Sequence, residues 1–334
     1  MLTKHFLSGN EAIARGAWEA GVHVATGYPG TPSTEIIENL ARYEDIDVEW
    51  STNEKVAFDV AYGACLAGAR ALVSMKHVGV NVALDSLMVT PFSGVHGGFV
   101  IITADDPGMH SSQNEQDNRF FAKFAKIPML EPSDSQEAKE FVKCAFEISE
   151  QFDVPVFLRT TTRTAHSKSV VTFDEPNRQP PRKYKSDPTK HVVPIHGKRW
   201  RRNIEERLKT MEEFAETFPH NTIEWNQRTV GIITSGISYQ YAREVFPDAS
   251  ILKLGMVYPL PRKLIESFCR GVEKLFVIEE LEPFLEEQLR IMGVSNIVGK
   301  DTIPNTFELS PDILRRSLLG AEGRPSFESE LSIP

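Results

Sequence analysis

In the stretch Glu49-Trp-Ser-Thr-Asn-Glu-Lys-Val-Ala-Phe-Asp, a single carboxylate, Glu54, opens what reads as a helix made for burial. Val56, Ala57, Val60, Ala61, Ala64 and Cys65 follow at three- and four-residue intervals, and that spacing predicts one helical face sunk in a core. A carboxyl at the mouth of such a core is suited to hold or move a proton, because an apolar setting favours its neutral form. The same residues also admit a plainer reading, in which Asn53 caps the helix and Glu54 complements the positive end of its dipole.

Three further polar clusters follow candidate strands, and in open α/β sheets ligands bind beyond the carboxyl ends of the strands. The first is Thr26-Gly-Tyr-Pro-Gly-Thr-Pro-Ser-Thr-Glu35. There Thr31 is expected to cap a helix beginning at Pro32, leaving backbone N–H groups for an anion. The turn matches neither GxGxxG nor the Walker pattern, so a structural role explains it equally well. The second is Lys76-His77-Val-Gly-Val-Asn81. The third is the long polar loop Asp105-Asp-Pro-Gly-Met-His110-Ser-Ser-Gln-Asn-Glu-Gln-Asp-Asn-Arg119, which offers His110, Gln113 and Asn114 as hydrogen-bonding groups. Neither His77 nor His110 has a partner at metal-ligand spacing, and no GxSxG elbow occurs, so neither a metal nor hydrolase chemistry is expected.

The elements that would position these residues read as α/β. Short β-rich runs at Val22 to Ala25, Val48 to Trp50, Ala71 to Met75, Phe99 to Ala104, Ile127 to Leu130 and Val154 to Leu158 alternate with amphipathic helical patterns, the signature of a parallel sheet covered on both faces. Ser8 with Glu11, and Ser133 with Gln136, read as capping boxes, and Gly21 as a helix stop. This organisation predicts a first domain over 1–165. An extended connector with one polar helix, from about Ile204 to Thr217, follows over 166–226. A smaller α/β unit is expected over 227–320, with strands at Thr229 to Thr234, Ser250 to Leu254 and Leu275 to Glu279, and helices at Ser238 to Val245 and Arg262 to Cys269. Residues 321–334 read as a flexible tail or docking strip.

Bulk properties narrow the partners. The 334 residues carry 37 Lys and Arg against 46 Asp and Glu, a formal charge of -9, which excludes nucleic acid or an anionic membrane as the main partner. The basic run Lys198-Arg-Trp-Arg-Arg therefore reads as a solvated face or an interface to an acidic neighbour. Without a signal-like start or the ~20 apolar residues of a membrane span, the chain reads as cytoplasmic. Cys65, Cys144 and Cys269 are too far apart for a disulfide framework or a CxxC site and read as inert, buried thiols.

Taken together, Gly27-Tyr-Pro-Gly-Thr-Pro-Ser-Thr-Glu35, Asn53-Glu-Lys-Val-Ala57, Met75-Lys-His-Val-Gly-Val-Asn81 and the block ending at Arg119 resemble the thiamine-diphosphate-dependent 2-oxoacid:ferredoxin oxidoreductases, in particular indolepyruvate:ferredoxin oxidoreductase alpha subunits. The resemblance runs from about Leu7 to Leu319. It implies a parallel-sheet thiamine diphosphate pyrimidine-binding domain followed by a smaller domain similar to the transketolase C-terminal domain. It also implies oxidative decarboxylation of a 2-oxoacid to an acyl-CoA, with coenzyme A as co-substrate and electrons passing singly to iron–sulfur centres. Glu54 would hydrogen-bond the pyrimidine nitrogen opposite the amino group, the contact that activates the cofactor. Pro29 and Thr31 from the turn, with Lys76, His77, Asn81, Asp105 and His110, would line the substrate or cofactor.

The departures from the family pattern carry their own expectations. No GDG with a magnesium loop and no cysteine cluster occur, so the diphosphate, Mg2+ and the electron carriers would sit on partners: a diphosphate-domain subunit, a ferredoxin-like iron–sulfur subunit and a gamma-type subunit, in a hetero-oligomer with a dimeric core. The chain would be either a natural split subunit or a fragment. Asp105 and Asp106 stand where the pyruvate enzymes carry a carboxylate-binding arginine, which argues for a larger aryl 2-oxoacid such as indolepyruvate. Two alternatives remain: a split-subunit, non-oxidative thiamine-dependent decarboxylase, and a non-catalytic assembly subunit.

Overall fold

The computed structural model describes residues 3–184, 186–190 and 193–320. The first part runs β1 (Lys4–Ser8), α1 (Gly9–Glu19), β2 (Val24–Gly27), α2 (Thr34–Leu40), β3 (Asp47–Trp50), α3 (Glu54–Leu66), β4 (Ala71–Lys76), α4 (His77–Ser93), β5 (Phe99–Asp105), α5 (Arg119–Ala125), β6 (Met129–Leu130), α6 (Ser135–Phe152), β7 (Val156–Thr161), α7 (Thr162–His166) and β8 (Lys168–Thr172). The second runs α8 (Gly197–Ala215), β9 (Thr222–Glu224), β10 (Gln227–Ser235), α9 (Gly236–Val245), β11 (Ala249–Leu254), β12 (Met256–Tyr258), α10 (Arg262–Arg270), β13 (Lys274–Ile278), α11 (Phe284–Ile291), β14 (Ile297–Val298) and α12 (Pro311–Leu319).

The larger sheet has seven strands in the order β12-β6-β7-β5-β4-β2-β3. All its pairings are parallel except that of β12 with β6. Strands β4, β5 and β7 are buried along their whole length, which requires cover on both faces and explains their near-continuous apolar runs. The smaller sheet is β14-β13-β10-β11-β9, so the chain is α/β as its pattern predicts.

The local signals hold where they depend on near neighbours. Ser8 and Glu11 form a reciprocal box, with Ser8 N–H donating to Glu11 Oε2 at 2.8 Å and Glu11 N–H to Ser8 Oγ at 3.2 Å. Gly21 takes the left-handed φ of +72° just beyond α1. The box expected at Ser133 and Gln136 lies one residue later: Asp134 Oδ1 accepts the Glu137 N–H at 2.9 Å, and the Glu137 carboxylate accepts from Ser133 N and Oγ.

Several expectations change. The polar helix starts at Gly197 rather than near Ile204, because the buried stripe Trp200, Ile204, Met211 and Ala215 extends back through the basic run. Trp200 is buried within that run and donates its indole N–H to Thr189 O at 3.0 Å. The stretch 166–226 is bracketed by strands, β8 on β1 and β9 on β11. β12, which follows β11 after one residue, leaves the smaller sheet and joins the edge of the larger one at Met129 and Leu130. The tail 321–334 lies outside the described residues.

Candidate cofactor site

Glu54 is the first residue of α3, and Asn53 caps that helix, its Oδ1 accepting the Val56 N–H at 2.9 Å. With the cap supplied by Asn53, the half-buried Glu54 carboxylate is left for another partner. It lies against α4, where Gly79 leaves room for it. A Cβ on Gly79 would stand 2.6 Å from Glu54 Cγ and 2.8 Å from Oε1.

The buried stripe of α3 differs from the one expected. Ala57, Phe58, Ala61 and Cys65 are the buried residues, whereas Val56 and Val60 are each 39% exposed. Val82, on neighbouring α4, is also exposed. An apolar strip therefore runs along the surface beside Glu54.

The Thr31 turn is built otherwise than its spacing suggests. α2 begins at Thr34 with Ser33 at its N-cap, and Thr31 is exposed. The Gly30 N–H donates to Thr34 Oγ1 at 2.9 Å, and Ser33 donates its N–H and Oγ–H to Gly30 O. These groups are thus already satisfied and offer no anion cradle. The turn lies over Lys76, whose Cβ would be 3.1 Å from a Cβ on Gly30. Pro29 is exposed on the same turn.

Lys76 ends β4 and is 8% exposed, its Nζ donating to Ser111 O at 2.5 Å. Burial pushes its ammonium below the ordinary lysine value, against the opposing pull of Asp106. His77 is fully buried, with Nε2 3.2 Å from Asn114 O. A carbonyl oxygen only accepts, so Nε2 carries a proton, and in the neutral ring Nδ1 then presents a lone pair. Asn81, one turn later and exposed, exchanges hydrogen bonds with Gln116 at 2.8 and 2.9 Å. Gln116 and Asn118 also donate to His77 O.

Two of the expected site residues face elsewhere. Asp105 is fully buried, paired with Arg159 Nε at 2.7 Å and accepting the Asn118 N–H at 3.0 Å. Burial raises its pKa while Arg159 opposes the rise. It is part of the core, not of a substrate surface. His110 turns toward the C-terminal unit and lies 3.2 Å from Glu308.

Four buried side-chain atoms in this region lack a hydrogen-bond partner among the described residues: Ser51 Oγ, Ser74 Oγ, His77 Nδ1 and Asn114 Oδ1. They belong to the segment after β3, to β4, to the start of α4 and to the loop after β5. Buried polar atoms left unpaired are costly, and these four come from segments at the carboxyl-end side of the larger sheet, His77 and Asn114 being joined there by the Nε2 contact. Such a set fits a flat, polar heteroaromatic ring with both donors and acceptors. No group of three His, Cys, Asp or Glu residues placed to hold a metal ion occurs among the described residues.

Sequence reasoning missed a buried charge network behind this site. Arg119 bonds Asp117, Glu279 Oε2 at 2.7 Å, and the Glu280 and Glu282 carbonyls at 2.8 and 3.1 Å. Arg159 joins Asp105 to Glu131. Burial raises the pKa of Glu279 and lifts Glu280 to about 7, and it lowers Lys300 to about 8. The available signal was Arg159 itself, a charge at the end of the apolar run Val154 to Leu158, where a strand buried on both faces demands a partner.

The family described as "Pyruvate flavodoxin/ferredoxin oxidoreductase, thiamine diP-bdg" matches residues 15–225. An indolepyruvate oxidoreductase subunit IorA from Archaeoglobus fulgidus is 43% identical, covering 98% of this chain and 55% of that protein. Its counterpart from Thermococcus kodakarensis is 45% identical over 91% of this chain and 50% of its own length. The chain thus spans about half the length of the curated relatives it matches. The solved 2-oxoglutarate:ferredoxin oxidoreductase from Magnetococcus marinus superposes with a TM-score of 0.77 at 16% identity, over 93% of this chain and 64% of that one. A split-gene transketolase, an inactive beta4 tetramer, gives 0.54 at 14% identity over 87% of this chain and 86% of its own. At such identities both speak to the fold alone, two consecutive α/β units. On the family match, the chain belongs to the thiamine diphosphate-binding pyruvate flavodoxin/ferredoxin oxidoreductase family.

Proposed function

We propose that this chain supplies the pyrimidine-receiving half of a thiamine diphosphate site in an oxidoreductase that decarboxylates an aryl 2-oxoacid such as indolepyruvate. The observation that carries the reading is Glu54, released from capping by Asn53 and half-buried against the bare Cα of Gly79. When bound, the cofactor supplies the electron sink that lets carbon dioxide leave a 2-oxoacid. Glu54 holds a proton at a carboxyl oxygen for a ring nitrogen. Ser51, Ser74, His77 and Asn114 offer their unpaired atoms to the rest of the ring, and Lys76, Asn81, Pro29 and Thr31 border it.

The exposed strip Val56, Val60 and Val82 beside Glu54 supports a partner chain covering this face. That partner would bring the diphosphate and Mg2+. A ferredoxin-like iron–sulfur subunit would accept electrons, a gamma-type subunit would complete the hetero-oligomer, and coenzyme A would take the acyl group. No helix among the described residues is long and apolar enough to cross a membrane.

Reconstitution with a diphosphate-domain partner and an iron–sulfur acceptor tests this. Glu54→Gln should lower 2-oxoacid-dependent acceptor reduction by about 100-fold or more. Full activity in that variant removes the assignment. Carbon dioxide release by the wild type without any electron acceptor would favour the non-oxidative decarboxylase.

A further inference from the structure

The loop from Asp106 to Asn118 touches the candidate site on one side and the C-terminal unit on the other. On the site side, its carbonyls at Ser111 and Asn114 accept from Lys76 Nζ and from the Nε2–H of His77. On the far side, Glu115 Oε2 accepts the Phe307 N–H at 3.2 Å, while its Oε1 accepts the Gly108 N–H at 2.6 Å. One residue on, Glu308 lies 3.2 Å from His110 and takes a two-pronged contact from Arg163, 2.6 Å at Nε and 2.5 Å at Nη2. Arg163 itself opens from the end of β7, next to the strand that carries Asp105. The segment Phe307–Glu308 thus grips the loop at two points, one through a backbone N–H and one through a carboxylate.

We infer that Glu308 is a positioning residue for the candidate site: by tying His110 of the loop to Arg163 of α7, it fixes the Asn114 carbonyl against His77 and so fixes which nitrogen of the neutral imidazole is protonated. The chemistry rests on the direction of one hydrogen bond. While Asn114 O accepts from Nε2–H, neutral His77 keeps Nδ1 as a buried acceptor with no partner, ready for a donor. If the loop lifts, that bond is lost and both tautomers become accessible. His77 never touches Glu308, so the effect runs through the loop alone. Glu115 is the second anchor, and to the extent that the loop moves as one body its effect should be non-additive with that of Glu308.

The reading builds on His77 as a site residue, yet it can be tested on this chain without any cofactor. The measurement is nitrogen-15 NMR of histidine-labelled protein, with the His77 signals assigned by their loss in His77→Gln. Wild type should show a single neutral tautomer protonated at Nε2. Glu308→Ala and Glu115→Ala should each weaken that signature, and the double variant should give averaged shifts from both tautomers. Hydrogen exchange at the Ser111 amide, whose acceptor Asp106 is untouched by either substitution, should quicken by about tenfold in the double variant. Both anchors are surface contacts, and far-UV circular dichroism checks that the fold is retained. Glu308→Asp should restore part of the signature. An unchanged His77 signature together with unchanged loop protection in the double variant overturns the inference, as does a wild-type His77 protonated at Nδ1. Should Glu54→Gln prove fully active, this result would still stand or fall by itself.

Discussion

Glu54 and Gly79 are complementary across α3 and α4: the Glu54 side chain occupies the space that a side chain on residue 79 would need, its Cγ 2.6 Å and its Oε1 2.8 Å from the position that Cβ would take. Gly79 lies in the first turn of a 17-residue helix, where alanine is otherwise favoured by about 1 kcal/mol. Gly79→Ala gains that preference but must push the Glu54 Cγ aside, so the two effects oppose and thermal stability should change by no more than about 1 kcal/mol. Activity in the reconstituted enzyme should fall roughly 10- to 100-fold, the usual cost of displacing a catalytic group by about an ångström. Undiminished activity would show that Glu54 is not tied to this position.

Glu280 makes stability depend on pH in a definite direction. Burial lifts its pKa from 4.5 to about 7, so the folded chain holds a proton over that interval which the unfolded chain has released. The stability this gives is complete below pH 4.5 and is lost as pH rises through 7. Glu280→Gln keeps an acceptor for the Leu309 N–H. Urea unfolding should find the variant close to wild type at about pH 5 and more stable at about pH 8, by roughly 3 kcal/mol at most. Parallel pH profiles for the two proteins would contradict this.

The three cysteines should be silent until the chain unfolds. Burial pushes the Cys65 and Cys144 thiols up to about 12 and Cys269 to about 11, leaving almost no thiolate at neutral pH. A chromogenic disulfide reagent at about pH 8 should count no fast thiol in the native protein and three in denaturant. A rapidly reacting native thiol would place one of them on an accessible surface instead.

The charge network should make Arg119 a stability residue. Its guanidinium is 1% exposed and bonds groups on both units. Arg119→Met leaves Asp117 and Glu279 buried without their cation and should cost about 3–5 kcal/mol. Wild type should unfold in a single transition, with circular dichroism and tryptophan fluorescence coincident. Separate transitions for the two signals would mean the units fold independently.

Which parts of this were legible in the sequence follows from how far each interaction reaches. The Ser8 box and the Asn53 cap lie within one helical turn and were readable. The long strands β4, β5 and β7 declare themselves by apolar runs. Val56 and Val60 misled because three- and four-residue spacing fits two neighbouring stripes of α3, and only the packing of Ala57 and Ala61 selects one. Thr31 misled because the helix starts two residues later than its spacing suggests, and the Gly30 carbonyl takes the Ser33 N–H that a cap at Thr31 was meant to leave open. Glu54 stands out by its place ahead of an apolar helix, yet Gly79, against which it packs, is 25 residues away and carries no side chain to announce itself. The Arg119–Glu279 bond spans 160 residues, beyond any local pattern.

β12 has a consequence for where such a chain can be divided. It takes only three residues, Met256 to Tyr258, to close the edge of the larger sheet at β6. A chain severed near residue 226 would keep every residue proposed for cofactor contact but bare that edge to any passing strand. A chain divided at the apparent composition boundary should therefore aggregate more readily than the two units kept together.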